Sequence, residues 1–131
     1  MKIALGIGCD RGTPAATIAQ CIAAALAACG ATAADVHAVA SIDLKADEAG
    51  LAEVARAQSW TIRFYPAAAL AAVPVPNPSA TVRRHTGTPS VAEAAALLAA
   101  GAGMTQLLIE KHKLRGPDGR NATVSIARIS P

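Results

Sequence analysis

Aromatic side chains are almost absent: Trp60, Phe64 and Tyr65 are the whole set, 2% of the chain. A base-stacking platform for single-stranded nucleic acid has nothing to build on. Metal-ligand spacing is missing too. No CxxC occurs, and Cys9, Cys21 and Cys29 stand in no zinc-like spacing with His37, His85 or His112. Three cysteines do not make a disulfide framework, so reduced thiols, no metal and a cytoplasmic setting are expected. The histidines have no visible partners, and no Ser-His-Asp set is legible. The apolar run 15–34 approaches the length of a membrane span, but Thr17, Gln20 and Gly30 interrupt it and alanine inserts poorly, so it reads as a buried helix. The opening MKIALGIGC is too short for a signal-peptide core and reads as a strand.

What the chain has is alanine. Hydrophobic residues make up 53% of 131, and alanine, the best helix former, supplies about half of them, predicting one domain over 1–131 with a thin, helix-covered core. The formal charge is +3, a mild preference for anionic small ligands and too little for nucleic acid. It is unevenly placed: Arg83, Arg84, Lys111, Lys113, Arg115, Arg120 and Arg128 face only Glu93, Glu110 and Asp118 in the C-terminal part.

Periodicity predicts strands over 2–8, 36–42, 61–64, 104–110 and 122–129. Helices are expected from Thr13 and Pro14, as cap and first turn, to about Cys29 before Gly30, then over 47–58, briefly over PAAALAAV, and from 91 to about 100. Ser90 and Glu93 form a capping-box pattern for the last. Alternating prolines at 74, 76 and 78 make 73–89 an extended surface connection. The turn RGPDGR joins the final strands. Together these give an α/β class: a three-layer α/β/α sandwich with a mixed, mostly parallel sheet of about five strands ending in an antiparallel hairpin. Ligands in such sheets bind beyond the carboxyl ends of the parallel strands, where GIGCDRGTP and SIDLKADE fall.

GIGCDRGTP raises three readings. Gly6, Gly8 and Gly12 miss the dinucleotide spacing because Arg11 stands where a glycine is required, even though Asp43 imitates a ribose-binding acid. No Gly-Lys-Ser/Thr follows, which removes the P-loop. A carboxylate or phosphate against Gly12 and Thr13, or a plain strand-to-helix turn, remain equal readings. Cys9, beside Arg11 and before a helix, has the setting of a lowered thiol pKa, against the alternative of a small buried residue. Cys21 and Cys29 read as core. Lys45 can meet a ligand carboxylate or simply Asp47 or Glu48, and Asp47 can simply cap the second helix. Arg83, Arg84 and His85 ahead of TGTPS form the best anion-binding group. Lys111, His112, Lys113 and Arg115 either continue it or form a solvated hairpin face.

GIGCDRGTP, SIDLKADEAGL, VPNPS, TGTPSVAEAAALLAAG, LLIEKHK and ATVSIARI occur in an order that resembles the CobE family and the C-terminal domain of CbiG, proteins of cobalamin biosynthesis. The resemblance covers nearly the whole chain. It implies a cytoplasmic role in building the corrin ring from precorrins, large apolar macrocycles fringed by carboxylates, with no cofactor of its own and other pathway enzymes as partners. In CbiG the associated activity is hydrolysis of cobalt-precorrin-5A, opening the ring-A lactone with loss of acetaldehyde. The N-terminal part of CbiG has no counterpart in these residues, so a binding module is expected first and a hydrolase second. Carried over by motif, the site is Gly8, Cys9, Arg11, Gly12, Thr13, Lys45, Glu48, Gly87, Thr88, Ser90, Glu93 and Lys111. Arg83 and Arg84 are added from their charge. Glu48 or Glu93 would act as general base, with Lys45 or Lys111 steadying an oxyanion.

Overall fold

The structure, a computed structural model, describes residues 1–76 and 91–129. Strands β1 (Ile3–Cys9), β2 (Val36–Ile42), β3 (Ile62–Tyr65), β4 (Leu107–Arg115) and β5 (Asn121–Arg128) form one sheet in the order β3-β2-β1-β5-β4. β1 and β2 are parallel, as are β2 and β3, while β5 runs antiparallel to both β1 and β4. Helices α1 (Ala15–Ala28) and α2 (Ala49–Gln58) cover one face; α3 (Ala67–Ala71) and α4 (Val91–Ala100) cover the other. This is the expected three-layer α/β sandwich, parallel at one end and closed by an antiparallel hairpin.

The alternation of β1 makes its two faces unlike. Ile3, Leu5 and Ile7 are fully buried on the α1 side, against Ile18, Cys21, Ile22 and Leu26, with Val124 and Ile126 beside them. On the other side Ala4, Gly6, Ala40 and Ala127 present almost no side chain, and α4 answers with Ala92, Ala94, Ala95 and Ala96. The helix therefore lies on the strand itself. A Cβ on Gly6 would collide with the Ala92 carbonyl oxygen and lie 2.6 Å from the Ala96 nitrogen.

Local differences from the sequence reading have local causes. Pro14, not Thr13, takes the N-cap of α1, because the Thr13 hydroxyl donates to the Asp10 carbonyl at 2.7 Å instead. Asp47 does not cap α2; Glu48 holds that position without a side-chain cap bond, and Asp47 turns to Arg11. Residues 104–106 form a 3-10 turn rather than strand, and β4 runs on to Arg115, since as a sheet edge it tolerates the charges of LLIEKHKLR. Helix α4 begins at Val91 as expected; Ser90 of its capping pattern, and most of the proline-rich connection, lie outside the described residues. Among the described residues no helix is long and apolar enough to cross a membrane.

Gly6→Ala should cost about 3 kcal/mol, since the clash is with backbone that no rotamer change relieves, and lower the Tm by roughly 10 °C. Gly103→Ala, where an added Cβ meets no described atom within 4 Å, should leave the Tm nearly unchanged. Thermal unfolding of the pair measures the difference.

Candidate functional site

At the carboxyl ends of β1 and β2 two loops meet. The first runs from Cys9 to Pro14 and turns on Gly12, whose φ of +77° suits glycine. The second is the turn Asp43–Lys45, which leads into α2. Arg11 crosses between them: its Nη1 lies 2.7 Å from Asp47 Oδ1 and 2.6 Å from Glu48 Oε2. The Gly12 N–H donates to Glu48 Oε1 at 2.9 Å. The carboxylate at the loop's N–H is thus the chain's own.

The hairpin between β4 and β5 grips the first loop from the other side. Asp10 Oδ2 accepts from the Asn121 backbone N–H at 2.8 Å and its side-chain amide at 3.1 Å, while the Asp10 N–H donates to the Asn121 carbonyl at 2.9 Å. Arg120 Nε donates to the Arg11 carbonyl at 3.0 Å, and its guanidinium pairs with Asp118. Asp10, Asp47, Arg120 and Asn121 were not singled out as site residues by the sequence reading. Their only signal was charged and amide groups beside loops, which spacing alone cannot join across 36 to 111 residues.

These contacts set the electrostatics. Burial raises the pKa of Glu48, but the Gly12 N–H, Arg11 and Lys45 outweigh it and hold the carboxyl below its ordinary value. Asp47 is also held low, by its hydrogen bond to Arg11. Cys9 goes the other way: burial pushes its thiol up to about 11, with Lys45 opposing. The setting that favoured a lowered thiol is overruled by desolvation, and the guanidinium counted on to lower it is engaged with Asp47 and Glu48. Cys21 is core as expected, donating to the His112 carbonyl at 3.2 Å, its thiol pushed up to about 11 by burial. Lys45 is half-buried and makes no ion pair with a described residue; the carboxylates suggested for it belong to Arg11.

A second polar group lies on the α4 face. Glu93, in the first turn of α4, is fully buried, and Lys111 Nζ stands 3.4 Å from its Oε1. The β4–β5 register shifts between Ile109 and His112, a bulge of the kind that re-aims a side chain, and Lys111 sits in it. The buried Ser125 hydroxyl donates to the Glu110 carbonyl beside it. Gly8 pairs with Thr123 on β5, and no described atom comes within 4 Å of where its Cβ would be. The structure thus gathers Cys9, Arg11, Gly12, Thr13, Lys45 and Glu48 in one cluster and Glu93 with Lys111 in another. Arg83, Arg84, His85, Gly87, Thr88 and Ser90 lie outside the described residues. Among the described residues no group of His, Cys, Asp and Glu is placed to hold a metal ion.

A three-layer α/β domain with its polar loops at the carboxyl ends of β1 and β2 is the class of protein defined here, and comparison with known proteins narrows it. The family model for the cobalamin synthesis G C-terminus matches residues 3–127, and the chain belongs to that family, a family of cobalamin biosynthesis proteins. It is 38% identical over 127 residues to a cobalt-precorrin-5A hydrolase of Priestia megaterium, covering 97% of this chain and 32% of the hydrolase. It is 40% identical over 101 residues to Protein CobE of a Sinorhizobium species, covering 76% of this chain and 66% of that protein. The chain thus spans about a third of the one relative and about two thirds of the other. The crystal structure of CobE, a protein from the cobalamin (vitamin B12) biosynthetic pathway, superposes with a TM-score of 0.83 at 32% identity, covering 99% of this chain and 95% of that one. Cobalamin biosynthesis protein chiG from Agrobacterium tumefaciens str. C58 superposes at 0.68 with 37% identity, covering 98% and 99%.

The brace has an acid signature. Because the folded pKa of Glu48 is depressed, its charge contributes full stability above the ordinary value of 4.5, and the contribution is lost as pH falls through the lower, folded value. Glu48→Gln should be less stable than the parent at pH 7 and lose less on going from pH 5 to pH 3. Urea unfolding across that range measures both.

Proposed function

We propose that the chain binds a carboxylate-rich precorrin or corrin intermediate of the cobalamin pathway, as a carrier or accessory acting in the cytoplasm, with residues 1–131 as its single domain. The observation that carries this reading is the division of labour in the loop cluster. Arg11 and Glu48 satisfy each other, the Cys9 thiol stays protonated, and Lys45 keeps a cation at the carboxyl ends of the strands with no carboxylate of the described chain upon it. That is the chemistry of a receptor for an anionic rim, without an activated nucleophile. Family membership supports this ligand class, because the macrocycles of that pathway combine an apolar body with acetate and propionate carboxylates. Other enzymes of the pathway are the partners such a carrier would serve.

Titration with cobyrinic acid, a corrin whose acetate and propionate side chains are free, tests it by visible absorption. The parent protein should shift the spectrum and return the ligand unchanged in mass. Lys45→Ala should weaken binding about tenfold, the worth of one charge-assisted contact. Absence of a shift with folded protein defeats the reading.

One observation favours a hydrolase as the second reading: the fully buried Glu93 beside Lys111, an acid and a cation in a water-poor setting, in a chain 38% identical over 127 residues to 32% of a hydrolase. Glu93 would act as general base for water and Lys111 would steady the oxyanion of an opening ring-A lactone or departing acetyl group. Both oxygens of Glu48 are engaged, by Arg11 and by the Gly12 N–H, so it serves this reading as a brace. Incubation with a lactone-bearing precorrin should then add the mass of water or release the two-carbon fragment, and Glu93→Gln should abolish the change. An unaltered mass removes this reading.

A further inference from the structure

Arg11 holds two carboxylates on one nitrogen, and they are unlike. Glu48 is 4% exposed and is held a second time by the Gly12 N–H at 2.9 Å; Asp47 is 73% exposed and meets the guanidinium from the solvent side at 2.7 Å. Arg11 itself remains 65% exposed. A buried carboxylate with two charge-assisted bonds is costly to move. An exposed ion pair of the second kind contributes little and exchanges readily.

We propose that Asp47 is an internal competitor: a stand-in carboxylate that a ligand carboxylate displaces from Arg11, while Glu48 keeps the guanidinium aimed. This rests on the reading of the chain as a binder of carboxylate-rich intermediates. It gives the acid pair unequal tasks, Glu48 positioning the cation and Asp47 occupying it until ligand arrives. The exchange leaves the number of carboxylates on Arg11 unchanged, so the cation is never stripped and the loop keeps its shape. Asp47 thereby lowers affinity, favouring release of the ligand as well as capture.

The inference makes an unusual demand, that removing a residue of the site strengthens binding. Asp47→Asn should bind cobyrinic acid about two- to fivefold more tightly than the parent, the factor an exposed ion pair is worth. Glu53→Gln, an exposed acid of α2 and the same change in net charge, should leave affinity unchanged. Glu48→Gln should weaken it while the protein remains folded by circular dichroism. If the parent binds but Asp47→Asn binds no better, or Glu53→Gln tightens binding equally, the competitor role is overturned and ligand binding stands. If the parent does not bind cobyrinic acid at all, the functional reading falls and takes this inference with it.

Discussion

The closeness of α4 to β1 at Gly6 is the constraint on which the rest is arranged. Helix backbone rests on strand backbone there, so the sheet around Gly6 has no depth for large side chains, and Ala4, Ala40 and Ala127 keep to that limit, with Ile42 lying beyond it. The bulk of the core is displaced to the α1 face, where Ile and Leu supply the apolar area that drives folding. The same closeness fixes the start of α4 against the sheet and puts Glu93 inside the protein. A buried carboxylate demands a partner, and the bulge in β4 brings Lys111 to it.

The loop cluster solves a related problem with charges. A glycine turn that starts a helix leaves N–H groups seeking an anion, and here Glu48, from the start of a different helix, provides one. Its carboxylate reaches Gly12 and Arg11 together, so one side chain ties the turn after β1 to the turn after β2. Arg11 is thereby turned from a mobile surface cation into a held one. Lys45 is set apart because the neighbouring acids are already engaged.

Much of the architecture was legible because it depends on local pattern. The bounds of β2 and the start of α4 follow from apolar runs closed by glycine, aspartate or a polar turn, and the mixed sheet follows from strand-helix alternation. The site was legible only as a place. DRG and DLKADE were correctly assigned to the same end of the sheet, but periodicity does not say which acid meets which cation. Asp47 was open between a helix cap and a partner of Lys45, and Lys45 between those acids and a ligand carboxylate; Arg11 takes both acids. For Cys9 the sequence neighbours pointed to a lowered thiol and its residue type to a small buried one; burial decides for the second, a tertiary fact. Lys111 was placed in the site by motif, but its residue pattern left it open between an anion-binding group and a solvated hairpin face, because neither the bulge that turns it nor the buried Glu93 leaves a trace in strand alternation.

The grip of the final hairpin on the first loop spans the chain: Asp10 and Asn121 stand 111 residues apart, and Arg11 and Arg120 109 apart. Contacts of such separation close late, because the loop entropy between them must be overcome first. During synthesis the turn after β1 emerges early with Asp47 and Glu48 to hold it, and its fastening to the hairpin waits until β5 has left the ribosome. Its polar loops therefore reach their final shape at the end of folding, and an incomplete chain presents a half-held site.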